Sequence, residues 1–543
     1  MAQGQRWSLR HQGFWAISLT LAMVAYNVSV LPAIMPRVVL DLDTSIGYIQ
    51  SILIVFSLVT ASFAATTENL CRFYGRTPVF SIGLVLYGIG IAATSLSPTI
   101  GWFALSFSLL TGLAATPLIS TPWAIADLVY DEESSELATL GLILASVLGG
   151  LMGVLLGGFI ASRISWRWAF LPSLSLLLLV SLFRRSLPNL NLRSEQPIDW
   201  VGGLLSFLGL TAIFMGFSLA GEFGWWEPRR VVSIAGLVIP PFALSIVPTL
   251  VAVGVIILGF FGLWQRRQAD RSKASLLRVG LLREREFVFG ILAAMVHTLI
   301  TTGVQFNLYQ FIPVALSLNP FETALTVIPY NLTIPVVLVA VVKYKVLSDR
   351  IAPKYIVLSG ISLLGAGIAV LYSRLDWQVT SLELIPGLVI MGIGSGLFLS
   401  YVSALAFSAA SAAEKPQCPG IYNPIQNLGS SLGRGILGTA LMFFASQGIV
   451  DGILQRLDTT LSPAQRFEAI SRLQEMLQTF SRQEIQEIFA NKLPPSVYPL
   501  VRSISRDAAT SGIKISLLIA LVFIGICLLL ATRLPKYPSC RRV

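Results

Sequence analysis

Charge is what this chain has least of. Asp, Glu, Lys and Arg make up 12% of its 543 residues, against about 25% in soluble domains. Histidine occurs twice, at His11 and His297. Four cysteines, Cys71, Cys418, Cys527 and Cys540, are scattered, and no spacing among them suggests metal ligands or a disulfide framework. A phosphate-cradling Walker loop and a nucleophile elbow are both missing. These absences speak against an enzyme and against direct coupling to ATP. No catalytic residue, metal or cofactor is expected.

What is present in excess is apolar length. Hydrophobic residues make up 55% of the chain, and the mean hydropathy is +0.76. They come in runs of roughly twenty, the length a helix needs to cross a bilayer core. A lipid-facing backbone must satisfy its own hydrogen bonds, so the spans are helices. The sequence predicts an all-α polytopic membrane protein of about fourteen spans, centred from Met23 through Leu299 to Val522. The first run, Phe14 to Met35, is too long for a signal-peptide core and reads as span one. The eighth run is longer than one span needs. Pro240 and Pro241 are expected to break it, leaving an interfacial segment ahead of the span proper. The net charge of +11 fits basic loops that orient spans and meet anionic lipid, so no nucleic-acid partner is expected.

The charges that remain set an orientation. "WQRRQADRSKASLLRVGLLRERE" carries seven Lys or Arg. An even span count places it on the same side as "FRRSLPNLNLR" and "RLPKYPSCRRV". The positive-inside rule makes that side, with both termini, cytoplasmic, in a plasma or inner membrane. One outer loop, about 451–511, is long. Ser462 and Pro463 mark a helix start, and Leu473, Met476, Leu477, Phe480 and Ile485 recur at helical spacing. An amphipathic helical hairpin is expected there, as a packing lid or as a surface that meets substrate or lipid headgroups.

Two loops echo one another. "ENLCRFYGRTPVF" follows span two, and "KVLSDRIAPK" follows span ten. The first resembles the loop of the major facilitator superfamily, whose pattern is Gly, three residues, Asp, Arg, any residue, Gly, Arg. Gly75 and Arg76 keep its end. Glu68 stands at its first Gly, and Arg72 replaces its Asp. The second loop keeps Asp349 and Arg350. "LPAIMPRV", "ASVLGGLMGVLLGGFIASRISWRWAFL", "IDWVGGLLSFLGLTAIFMGFSLAGEFGWW" and "NLYQFIPVALSLNPFETALTVIP" are similar, in this order, to stretches of the fourteen-span drug:proton antiporter branch.

The resemblance implies two six-helix bundles that rock around a central cavity. They would be residues 1–185 and 285–543, with two inserted helices and a basic loop in 186–284. It implies export of amphipathic small molecules, membrane lipid around the protein, protons as a candidate coupling ion, and a monomer. It also implies a gating role for Arg72, Gly75, Arg76, Asp349 and Arg350. Gly149, Gly153, Gly157 and Gly158 would serve as hinge and leak-seal. Their spacing alone is equally that of close helix packing. The chain departs from the family in three further places: Met23 at a first-span Asp, Ser108 at a fourth-span Arg, and Val154 at a Pro.

Polar residues inside spans are costly and so are candidates for function. Tyr26, Asn27, His297, Gln305, Asn307, Gln310, Asn331, Gln426 and Asn427 are either interhelical glue or the lining of a ligand cavity. His297 is the only mid-span group of a type that titrates near neutrality. Arg434, in "GSSLGRGILG", is a cation at mid-span with few carboxylates available. Two other readings stay open at this point: a transporter of lipids or long-chain amphiphiles, and a receptor or scaffold that no longer transports.

Overall fold

The computed structural model describes residues 11–44, 46–130, 132–187, 199–226, 232–234, 237–239, 244–270, 281, 283–316, 318, 320–344, 351–376, 379–410, 418–456, 458, 460–479 and 498–537. Asp349, Arg350, Phe480, Ile485, Pro240 and Pro241 lie outside them, as does the Arg72 side chain.

The first half is built from α1 (Gln12–Asp41), α2 (Ile46–Tyr74) and α3 (Arg76–Ser95), followed by α4 (Ile100–Ala104). A π turn at Leu105–Thr111 continues α4 into α5 (Gly112–Val129). Then come α6 (Glu132–Arg163) and α7 (Leu171–Phe183). Two helices follow, α8 (Trp200–Phe223) and α9 (Ile246–Asp270). The second half holds α10 (Arg285–Ala315), α11 (Pro320–Tyr344), α12 (Pro353–Arg374), α13 (Ser381–Phe407) and α14 (Cys418–Gly433). A second π turn, Arg434–Gly438, joins α14 to α15 (Thr439–Arg456). An outer helix α16 (Pro463–Thr479) precedes the last span, α17 (Tyr498–Ala531).

Among the described residues, thirteen stretches are long and apolar enough to cross a membrane. The apolar stretch of α2, Ser51–Ala64, is shorter. Hydroxyls inside spans cost little because they turn back on their own helix: Thr20 donates to the Ala16 carbonyl at 2.7 Å, and Ser400 to the Gly396 carbonyl at 2.7 Å. The stretch before α9 adds a detail that hydropathy misses. β1 (Val232–Ile234) and β2 (Leu237–Ile239) form an antiparallel hairpin with Val232 opposite Ile239. A hairpin satisfies its inner backbone groups locally, which suits a segment at the membrane boundary.

Each half has its own core. One apolar cluster runs over α1–α7, from Phe14 to Leu187. A second runs over the second half, from Leu281 to Leu534. The halves meet along two main seams, α6 with α11 and α2 with α14. The inserted α8 packs on α9 and on α2, and it reaches α14 and the π turn beyond it. A small third cluster sits there: Leu58, Val59 and Ala61 of α2 against Phe214 of α8, with Leu428 of α14 beside them. At the start of α8, the buried Asp199 accepts from the Gly202 amide at 2.8 Å, Trp264 Nε1 at 2.9 Å and Gln265 Nε2 at 2.8 Å. One carboxylate therefore caps α8 and ties it to α9.

The outer helix begins as its sequence suggests. Ser462 Oγ accepts from the Gln465 amide, while Gln465 Oε1 accepts from the Ser462 amide at 3.2 Å, a reciprocal cap. Arg466 forks onto Asp451 at 2.7 and 2.5 Å and fixes α16 to the end of α15. The second arm expected of this hairpin falls outside the described residues.

Candidate functional site

Glycine sets the register of both halves. In the first half, a Cβ at Gly149 would overlap the Ala22 backbone, and one at Gly153 would overlap the Tyr26 carbonyl. A Cβ at Gly157 would overlap the Val30 side chain. These glycines thus seat α6 on α1, one turn at a time, which is close packing. Gly158 lies between α1 and the other half, with Phe321 of α11 at 3.8 Å and Ala33 of α1 at 3.9 Å from its would-be Cβ. With Val154 in place of proline, α6 stays helical throughout.

The second half repeats the device. A Cβ at Gly429 would overlap the Met295 carbonyl, and one at Gly433 would overlap the Leu299 carbonyl. Gly303 in turn meets Gly433 and Leu437. Matching these contacts pairs α1 with α10 and α6 with α14, Gly149 with Gly429 and Gly153 with Gly433. By that match Arg434, which follows Gly433, corresponds to Val154, which follows Gly153.

Four of the polar span residues are bonded inside a bundle. Tyr26 donates to the Ala169 carbonyl at 2.7 Å. Asn27 Nδ2 lies 2.8 Å from Tyr87 Oη and 2.5 Å from Ser173 Oγ. Asn307 Nδ2 donates to the Leu437 carbonyl at 3.0 Å and to Ser516 Oγ at 2.6 Å. His297 lies flat on Phe398, ring centres 4.2 Å apart, with Nε2 3.3 Å from Ser395 Oγ. Ser395 also meets Tyr330 Oη at 3.2 Å. All four side chains are buried and bridge helices, and Asn27 Oδ1, His297 Nδ1 and Asn307 Oδ1 are buried with no partner among the described residues.

The remaining residues keep partial exposure. Gln305 Nε2 donates to Asn331 Oδ1 at 2.9 Å, joining α10 to α11. Gln426, Asn427 and Ser430 form a stripe on α14 that runs into Arg434. Gln310 is also partly exposed, though its Nε2 is buried without a partner. Among the described residues, Arg434 bonds within its own turn: Nε to the Ser430 carbonyl at 3.3 Å and Nη2 to Ser430 Oγ at 2.8 Å. Among the described residues no carboxylate pairs with it. The glycine register places it level with Leu299–Gly303, and hence within one turn of Gln305.

The loop after α2 pairs its arginine with a carboxylate. Gly75 takes φ 94°, a left-handed backbone that favours glycine, and breaks α2 from α3. Arg76 Nη2 then reaches Glu68 Oε1 at 2.5 Å. The carboxylate sits one turn earlier than in the family pattern. At the family's fourth-span Arg position, Ser108 donates to the Ile52 carbonyl of α2 at 2.7 Å. Met23 is fully buried. Sequence reading missed Asp199 and the Glu68–Arg76 pair. A lone Asp ahead of an apolar run is a cap signal that could have pointed to the former.

Comparison with known proteins fits this arrangement. Residues 17–434 match the profile of the Major Facilitator Superfamily. A "Probable actinorhodin transporter" of Streptomyces coelicolor is 25% identical over 76% of this chain and 69% of its own length. A "Puromycin resistance protein" of Streptomyces alboniger is 25% identical over 78% and 81%. A "Multidrug efflux pump" of Mycolicibacterium smegmatis is 24% identical over 79% and 80%. In fold, the chain superposes on a peptide transporter crystallised with sulfate with a TM-score of 0.57, at 13% identity, covering 93% of this chain and 98% of that one.

Proposed function

Because the chain belongs to the major facilitator superfamily, we propose that it exports amphipathic small molecules by alternating access of its two halves. The observation that carries this reading is the pair of separate cores joined along narrow seams. Bodies with their own cores move as units, and seams of small and apolar residues re-form at low cost. The curated relatives are named for drug and antibiotic export.

The orientation, with both termini cytoplasmic, rests on the basic loop between α9 and α10. The proposed driving force is a proton gradient acting on a monomer. His297 would have to leave its stack on Phe398 to carry a proton. Gating by Arg76 would run through Glu68.

Two measurements test this reading. Purified protein in liposomes should move a fluorescent amphiphile when a pH gradient is imposed; no movement of any amphiphile would refute it. In intact cells, a single cysteine replacing Arg472, whose side chain is 75% exposed on α16, should react with an impermeant reagent, and one replacing Arg267 should not. The opposite pattern would invert the topology.

A further inference from the structure

The repeat relation between the halves isolates one residue. α6 docks on α1 with Val154 after its middle glycine, and α14 docks on α10 with Arg434 after the equivalent glycine. The docking therefore needs no cation. A guanidinium at mid-span is costly, and among the described residues no carboxylate offsets that cost. It also opens a π turn, a local widening found often at functional sites.

The guanidinium is partly engaged. Of its five N–H donors, one on Nε and one on Nη2 are taken by Ser430. The outer edge, Nη1 and the second hydrogen of Nη2, remains for a ligand. That edge presents two parallel donors, the geometry that receives a carboxylate or sulfonate in bidentate fashion. Arg434 stays partly exposed. The Gln305–Asn331 pair, on α10 and α11, lies within one turn of its level. Ser430 holds the guanidinium from behind.

Resting on the transport reading above, we propose that Arg434 is the specificity residue of this transporter, and that its substrates are amphiphiles with one acidic group, of the carboxylate or sulfonate class. Ser430 is its positioning residue.

The probe set is pyrenebutanoate, its neutral amide, and the matched pyrenylbutyl-trimethylammonium cation. Binding to the full chain in nanodiscs of zwitterionic lipid is read by thermal shift, and transport in liposomes by pyrene fluorescence. Wild type should bind the anion tighter than the cation by on the order of ten- to a hundred-fold, the scale of one charge-assisted contact. Arg434→Val, which copies the first half, should lose that margin while keeping the neutral amide. Arg434→Lys should keep part of it, and Ser430→Ala should weaken the anion only. Equal wild-type affinity for anion and cation would overturn the proposal, and this comparison needs no variant. So would an unchanged anion affinity in a folded Arg434→Val protein. Charge-blind transport would leave the transport reading standing and sink this inference alone. No binding or movement of any probe would sink both.

Discussion

The two docked pairs, α1 with α6 and α10 with α14, share one backbone solution and differ in what they do with polarity. In the first half the polar span groups Tyr26, Asn27 and Ser108 are spent on the fold. Tyr26 and Asn27 bond across helices, and Ser108 is tied to the α2 backbone. The family's acidic and basic positions have become Met23 and Ser108. In the second half His297 and Asn307 are buried and bonded across helices, while Arg434, Gln305 and Asn331 stay partly exposed. On the proposed reading, one half is a neutral wall and the other holds the charge. Symmetry in packing therefore does not carry symmetry in polarity, because backbone docking is decided by the small residues and leaves the residues between them free to differ.

The largest expected effect would come from breaking what the halves share. Gly153→Leu and Gly433→Leu would each press a side chain into a backbone carbonyl that cannot rotate away. Overpacking of this kind costs about 1–3 kcal/mol or more, and each variant should lose most of its folded, monodisperse protein on size exclusion. Gly259→Leu, where the would-be Cβ meets nothing within 4 Å, is the control and should behave as wild type. If Gly433→Leu folds normally, the shared docking is not general.

A middle-sized effect would sharpen the contrast in polarity. Asn27→Leu strands the Tyr87 and Ser173 hydroxyls in a buried site. It should lower stability by about 1–3 kcal/mol in a thermal melt, and leave the preference for ligand charge as it was. A changed charge preference in that variant would move the ligand site into the first half.

The smallest effect is expected at the outer rim. Asp41 accepts from Trp166 Nε1 at 2.8 Å and from Arg167, whose guanidinium lies 4.5 Å over the Trp166 ring. The Trp166 and Arg167 hydrogen bonds hold the Asp41 carboxyl below its usual range. A lowered carboxyl stabilises the fold above the ordinary carboxylate range and loses that contribution as pH falls through the lowered value. Asp41→Asn should therefore cost below about 1 kcal/mol near neutrality, as for an exposed pair. Its gap to wild type should close below roughly pH 4. A gap that persists in acid would mean that the clasp does not depend on ionisation.

Sequence alone was enough for the helices, their number within one, the inserted pair and the outer-helix cap, because a bilayer demands apolar runs of fixed length and a helix start demands an acceptor for its free amides. It also exposed Arg434, since a cation in such a run has few explanations. What it left open was which way a polar side chain turns. On α10, lipid and core are both apolar, so hydrophobic periodicity does not separate His297 and Asn307, which face inward, from Gln305, which does not. The Glu68–Arg76 pair likewise became visible only in three dimensions, when the break at Gly75 brought Arg76 back to α2. The assembled fold set Gly149, Gly153 and Gly157 on α1 and Gly158 between α1 and α11, because which helix fills a glycine's groove depends on contacts between segments far apart in the chain.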